Sequence, residues 1–322
     1  MGDDKSNYIS LEDLIDTYGY DLSCVDFANV LISPFEKLEK VILPNDEELF
    51  QKIYDKSLRY VYMGDKDYSK FNFKGVDIFG TIFGENSKIP HDINFFQGIY
   101  RKSLQRTTLP SIDFSNYNFN EVCIENTIFP RKAKLPKNRN LFQSIKDKSL
   151  GGTVLPDGDY SKYNFSGVKV GNTIFTDTSR IGNINFFQDI FALNITGTHL
   201  PSESYENFNF NKVRIYHTAF GKNAVLPTEE NFLKKPNFVK FEDNIFPNSF
   251  LDIIDFYDTE GIKIEYDKLN ISDSEPHAAK STVLPDRDLL QLSKQMKLFY
   301  GQMESIALFN KLWVLHHYRY FS

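Results

Sequence analysis

Large apolar residues fall at every fifth position in several stretches of this chain, most clearly over 114–129. There Phe114, Phe119, Ile124 and Phe129 are five apart, Val122 and Thr127 stand two before Ile124 and Phe129, and Asn118 precedes Phe119. A half-buried strand alternates with a period of two and a helix repeats at about 3.6. A period of five fits neither. It fits a chain that runs a short side, turns a corner and returns an apolar residue to a common axis after a constant count.

The stretch has copies. Phe71-Asn72-Phe73, Val76-Asp77-Ile78 and Thr81-Ile82-Phe83 form one. Tyr163-Asn164-Phe165, Val168-Lys169-Val170 and Thr173-Ile174-Phe175 form another, and Phe208-Asn209-Phe210, Val213-Arg214-Ile215 and Thr218-Ala219-Phe220 a third. Val25-Asp26-Phe27 with Val30-Leu31-Ile32 is a degenerate copy. Phe27, Phe73, Phe119, Phe165 and Phe210 are 46, 46, 46 and 45 residues apart. Self-similarity at a fixed period of this length predicts a stacked repeat protein.

A different pattern fills the other half of each repeat. Leu49-Phe50-Gln51, Phe95-Phe96-Gln97, Leu141-Phe142-Gln143 and Phe186-Phe187-Gln188 open it, and Phe50, Ile53, Tyr54 and Leu58 follow helical spacing. Asp46, Asp92, Asn138 and Asn183 stand ahead, where a side-chain oxygen caps a helix start. Leu-Pro or Ile-Pro dipeptides such as Ile89-Pro90 and Leu109-Pro110 bracket most of these segments, and proline disfavours helix in the residue before it. Each repeat therefore predicts about three short β segments, a turn, one short helix and a turn. Stacked strands lie roughly 4.8 Å apart, whereas packed helices need about 8–10 Å. One helix per coil would make the stack fan, with helices outside and a concave strand face inside. The glutamines shared by the four helical segments predict side chains that satisfy backbone groups between coils.

The five-residue pattern resembles the pentapeptide-repeat family. The resemblance covers about residues 20–35, 65–83, 111–129, 157–175 and 202–220. It implies a right-handed, four-sided β-helix with the large residue pointing in and a smaller one packed beside it. The sequence departs from the family at that smaller position, which holds Phe71, Tyr117, Tyr163 and Phe208, and only three or four pentapeptides run before the helical half intervenes. The expected fold is an α/β solenoid: right-handed pentapeptide-like β-helix coils, each carrying one short outer helix, curved, with a helical C-terminal cap. Residues 1–20 read as an N-terminal cap, 21–246 as the repeat solenoid and 247–322 as a C-terminal cap or dimerisation region. A long apolar helix is expected from Asp286. Gyrase-directed members of the family dimerise through C-terminal helices, so the resemblance leaves a homodimer through this helix open.

The net charge of −6 is unevenly spread. Residues 1–50 carry 12 acidic and 3 basic residues, and residues 101–150 carry 4 acidic and 10 basic. Solvated faces account for much of this, but Arg131, Lys132, Lys134, Lys137 and Arg139 form a band that an acidic partner could meet. Cys24 and Cys123 are the only cysteines, which predicts no disulfide framework and a reducing compartment. The first residues lack a secretory pattern and no apolar run is long enough to span a membrane. The expected location is cytoplasmic, with delivery into a host cell left open.

Catalytic motifs are missing. None of the six histidines lies in a His-Glu-x-x-His pattern, two cysteines are too few for a Cys-rich zinc site, and there is no phosphate-binding glycine loop. No cofactor and no metal site are expected. The expected function is a non-enzymatic scaffold or inhibitor of bacterial or phage type that binds a partner protein. The alternatives are a translocated effector, an enzyme using the solenoid to recognise substrate, and a topoisomerase-directed DNA mimic. Overall charge argues against nucleic acid as a partner. The residues flanking the inward positions, namely Asp77, Phe79, Glu125, Lys169, Arg214, Tyr216 and His217, should face out on the concave side. Exposed aromatics beside charges are the usual makings of a binding hot spot.

Overall fold

The computed structural model describes residues 8–227 and 237–238. They lie in the first of the two units into which the chain divides, Met1–Glu265 and Tyr266–Ser322. The helix expected from Asp286, and any dimer interface on it, fall outside the described residues.

Regular elements are short. Strand β1 (Ile9–Ser10) leads into helix α1 (Leu11–Tyr18), and β2 (Val30–Leu31) follows. Ser10 starts α1 by accepting the Asp13 N–H at 3.0 Å, and Leu11 and Leu14 turn the helix's apolar stripe inward. Four single-turn helices come next: α2 (Leu49–Lys52), α3 (Phe95–Gly98), α4 (Leu141–Ser144) and α5 (Phe186–Asp189). Strands β3 (Tyr62–Gly64) and β4 (Ile82–Phe83) stand between α2 and α3. Strands β5 (His199–Leu200), β6 (Arg214–Ile215), β7 (Ala219–Phe220) and β8 (Asn237–Phe238) follow α5. Among the described residues every strand pairing is parallel: β1 with β2, β3 with β4, β5 with β7 and β6 with β8.

Isolated parallel bridges carry the same pairing through the middle of the chain. Ile82 bridges Thr108, Thr108 bridges Ile128, Ile128 bridges Val154, Val154 bridges Ile174 and Ile174 bridges His199, and His199 pairs with Ala219. Successive offsets are 26, 20, 26, 20, 25 and 20 residues. The chain thus returns to the same ladder twice per repeat, once through a 20-residue pass and once through a longer pass containing the helical turn. This corrects the expectation of one outer helix on every coil. Helices come on every second pass, so two passes separate them, about 9.6 Å at strand spacing. That is a helix-packing distance.

The helices stop after one turn for local reasons. Ile53 is extended (φ −62°, ψ 154°), and Asp55 and Lys56 both have positive φ, 52° and 48°. The Lys56 N–H donates to the Ile53 carbonyl and the Ser57 N–H to the Tyr54 carbonyl. The same tight turn recurs at Arg101-Lys102, Asp147-Lys148 and Ala192-Leu193. Asp46, Asp92, Asn138 and Asn183 stand three residues before the first helical residue. Each Oδ1 accepts an N–H two positions on, from Glu48, Asn94, Asn140 and Asn185.

Packing explains the aromatic residues Phe71, Tyr117, Tyr163 and Phe208. Phe50 lies 5.0 Å from Phe71 and 4.9 Å from Phe73 between ring centroids. Phe96 meets Tyr117 and Phe119, Phe142 meets Tyr163 and Phe165, and Phe187 meets Phe208 and Phe210 in the same way. The buried ring of each helical turn thus meets two rings of the next pass. Tyr117 and Tyr163 then donate their hydroxyls to the carbonyls of Pro90 and Pro136, at 3.0 and 2.9 Å.

Polar ladders tie the passes. Thr81, Thr127, Thr173 and Thr218 are fully buried, and their hydroxyls donate to Leu58, Leu104, Leu150 and Ile195 carbonyls one pass away. Gln51, Gln97, Gln143 and Gln188 each donate both amide hydrogens to two carbonyls of the following pass; Gln143 reaches Asn164 at 3.1 Å and Ser166 at 2.7 Å. The glutamines therefore satisfy backbone acceptors that a single-turn helix cannot.

Candidate functional site

One corner of the stack concentrates aromatic rings and guanidinium groups. It begins from a row of left-handed residues, one per pass: Phe35, Tyr60, Gly80, Arg106, Asn126, Gly152, Asn172, Gly197 and His217, all with φ between 50° and 72°. A left-handed residue ends one side and starts the next, and glycine or asparagine takes that conformation at least cost. Phe35, Tyr60 and Arg106 do not. Gly80 has a second role, because a Cβ there would sit 2.4 Å from the Tyr60 ring. The Tyr60 ring is thereby laid across the backbone of the next pass.

The rings form a short stack. Phe35 lies 5.7 Å from Tyr60 with the planes 27° apart, and Tyr60 meets Phe79 edge-on at 5.3 Å. The Arg59 guanidinium carbon is 4.7 Å from the Phe79 ring centre and that of Arg106 is 5.6 Å from it. Arg106 Nη1 donates to the Tyr60 hydroxyl at 3.3 Å. Arg59 Nη1 pairs with Asp77 Oδ2 at 3.3 Å, and Asp77 Oδ1 accepts the Phe79 N–H at 3.0 Å. Phe79 is half-buried beneath its cations, whereas Phe35, at the open end, is 70% exposed.

The seven residues expected to face out share one side but not one place. Asp77 and Phe79 belong to the corner. Glu125, two passes on, is half-buried and accepts hydrogen bonds from Gln105 Nε2 and Ser149 Oγ. Lys169 is exposed, 5.8 Å from the Phe191 ring, and Arg214 is exposed on β6. Tyr216 and His217 have their ring centroids 3.8 Å apart. They stand six passes from Phe79, about 29 Å at strand spacing, so the two aromatic groups cannot act as a single compact hot spot.

The basic band is partly neutralised. Arg131 pairs with Asp157 at 3.3 Å and donates to Thr178, and Lys134 pairs with Asp113 at 3.3 Å. Lys132, Lys137 and Arg139 are exposed and make no ion pair among the described residues. Among those residues, no cluster of His, Cys, Asp or Glu is arranged to hold a metal ion, and no helix is long and apolar enough to cross a membrane.

Phe35, Arg59, Tyr60 and Arg106 do not stand out when each 46-residue repeat is taken as a single coil. The signal that places them is a second spacing. Leu58, Leu104, Leu150 and Ile195 precede Ile78, Ile124, Val170 and Ile215 by 20 residues, four pentapeptides. That offset stacks Arg59 on Phe79 directly. Compared with known proteins, the chain matches no family model and no curated protein sequence.

Proposed function

We propose that this chain is a non-enzymatic protein-binding scaffold, a pentapeptide-like solenoid whose partner docks on the Phe35–Tyr60–Phe79 corner. The observation that carries this is Phe35, a large ring 70% exposed at the end of an aromatic stack flanked by two arginines. Leaving such a ring in water forgoes the stabilisation that burial gives. Aromatic and arginine side chains clustered in this way are the residues that dominate binding energy in protein interfaces. The flanking lattice of Thr and Gln hydrogen bonds supplies a rigid support, which lowers the ordering cost of binding.

The test is capture of partners from a bacterial lysate by full-length protein at moderate salt. Phe35→Ala with Phe79→Ala is expected to cut capture of the specific partner about 30-fold, corresponding to a loss of about 2 kcal/mol at a hot spot. Tyr216→Ala with His217→Ala is expected to leave it unchanged. Retention by the first pair and loss by the second, with both variants folded, would move the site to the far end of the stack.

A further inference from the structure

We infer that the corner reads a short extended segment of a partner protein that carries a side-chain carboxylate a few residues from a large apolar side chain. This rests on the binding role proposed for the corner and adds the chemistry of what it takes.

The cations set the first half of that chemistry. A guanidinium has five N–H donors. Arg59 spends one on Asp77 and Arg106 one on Tyr60, both at 3.3 Å, so most of their donors remain for another acceptor. The Arg59–Asp77 bond is long for a charge-assisted pair, which normally closes to about 2.7–2.9 Å. Both guanidinium groups lean on the same Phe79 ring, at 4.7 and 5.6 Å from its centre, so two positive charges and the single Asp77 carboxylate, bound to Arg59, gather about that ring. A second carboxylate balances that set. The planar fork of arginine suits a carboxylate in a two-pronged arrangement.

Phe35 sets the other half. Its inner face lies against Tyr60 and the rest of the ring is exposed. From the Phe35 pass to the Arg106 pass is three steps, Phe35 to Tyr60 to Gly80 to Arg106, about 14 Å at strand spacing. An extended peptide covers that in about four residues, at roughly 3.3 Å each. The segment recognised therefore places its apolar side chain and its carboxylate three to five positions apart.

The surrounding charge selects a short acidic segment over a long polyanion. Residues 1–50, which include Phe35 and its neighbour Glu36, carry 12 acidic and 3 basic residues. Burial raises the Glu36 pKa, and Glu12 close by pushes it in the same direction. A nucleic acid strand crossing the corner would run its phosphates along this acidic end. A single carboxylate at Arg59 and Arg106 would not.

The experiment is selection of a phage-displayed library of random dodecapeptides on the full-length protein, with Arg59→Gln/Arg106→Gln and Phe35→Ala/Phe79→Ala proteins as counter-screens and a twenty-residue oligothymidylate as competitor. Enriched peptides are expected to carry Asp or Glu three to five positions from Phe, Tyr, Leu or Ile. They are expected to bind the double-arginine variant at least tenfold more weakly, and to lose as much when their carboxylate is replaced by the amide. Peptides that need Phe35 and Phe79 but carry no acidic residue, or that bind the double-arginine variant equally well, would overturn the carboxylate assignment and leave the protein-binding corner standing. Absence of any corner-dependent peptide would overturn both. Displacement of the peptides by oligothymidylate at equal or lower concentration would assign the corner to nucleic acid instead.

Discussion

Replacing Phe142 with alanine is expected to lower the unfolding free energy by about 3–5 kcal/mol, read as a fall in denaturant midpoint at unchanged slope. Phe142 is fully buried and packs against Tyr163 and Phe165, at 5.0 and 5.2 Å between ring centroids, and against Tyr160 at 6.3 Å. It is the ring that α4 contributes to the core, and its neighbours Gln143 and Tyr163 are held by hydrogen bonds to backbone carbonyls. The exposed Phe191→Ala is the control, expected to change stability by no more than about 0.5 kcal/mol. Equal effects of the two substitutions would mean that the helical turns do not contribute to the core.

Stability is also expected to fall steeply as pH rises from about 10 to 12, because the native state holds several phenols in their neutral form. Burial, helped by nearby Asp92, pushes Tyr117 up to about 12. Burial likewise raises Tyr163, with Asp159 adding to it, and it raises Tyr68 and Tyr205 further, with Asp65 and Glu203 adding to the respective shifts. In the unfolded chain these groups ionise near 10. Between the two values the unfolded state has lost protons that the native state keeps, so each step upward in pH favours unfolding. The opposite sign holds at the acid end. Hydrogen bonds from Ser69 and Ser115, with Lys88 and Lys134 beside them, hold Asp67 and Asp113 at about 2. Their contribution is present above about pH 4 and is lost as pH falls toward 2. Urea midpoints at pH 8, 10 and 11.5 give the alkaline slope, and a flat profile over that range would contradict the burial of these hydroxyls.

Much of the local structure was legible in the residues. The inward set Phe73, Ile78 and Phe83 and the tie made by Gln143 follow from spacing and side-chain chemistry. The length of one pass did not follow. The 46-residue period is the louder signal because the Leu/Phe-Phe-Gln segments are its most distinctive part, yet it spans two passes. Leu58 and Ile78, 20 apart, hold the finer period. Ile53 and Leu58 sit at helical spacing from Phe50, yet the helix ends at Lys52. That spacing arises here from an extended residue followed by a left-handed turn at Asp55-Lys56, where no glycine or asparagine announces the turn. The corner was half legible: Phe79 and Asp77 follow from their place beside Ile78, but Arg59, Tyr60, Arg106 and Phe35 reach them only across passes.

That register is what assembles the corner, and a pair of cysteine cross-links tests it most directly. Asp113 and Lys134 bridge in parallel on adjacent passes, which puts their Cα atoms about 4.8 Å apart, within disulfide reach. Asp113 and Asp159 occupy the same position one repeat apart, two passes or about 9.6 Å, beyond it. Under mild oxidation, Asp113→Cys/Lys134→Cys is expected to form an intramolecular disulfide and Asp113→Cys/Asp159→Cys to form none. Peptide mapping distinguishes these from the native Cys24 and Cys123. A disulfide between positions 113 and 159, and none between 113 and 134, would mean that each repeat makes a single pass, and the corner as described would not exist.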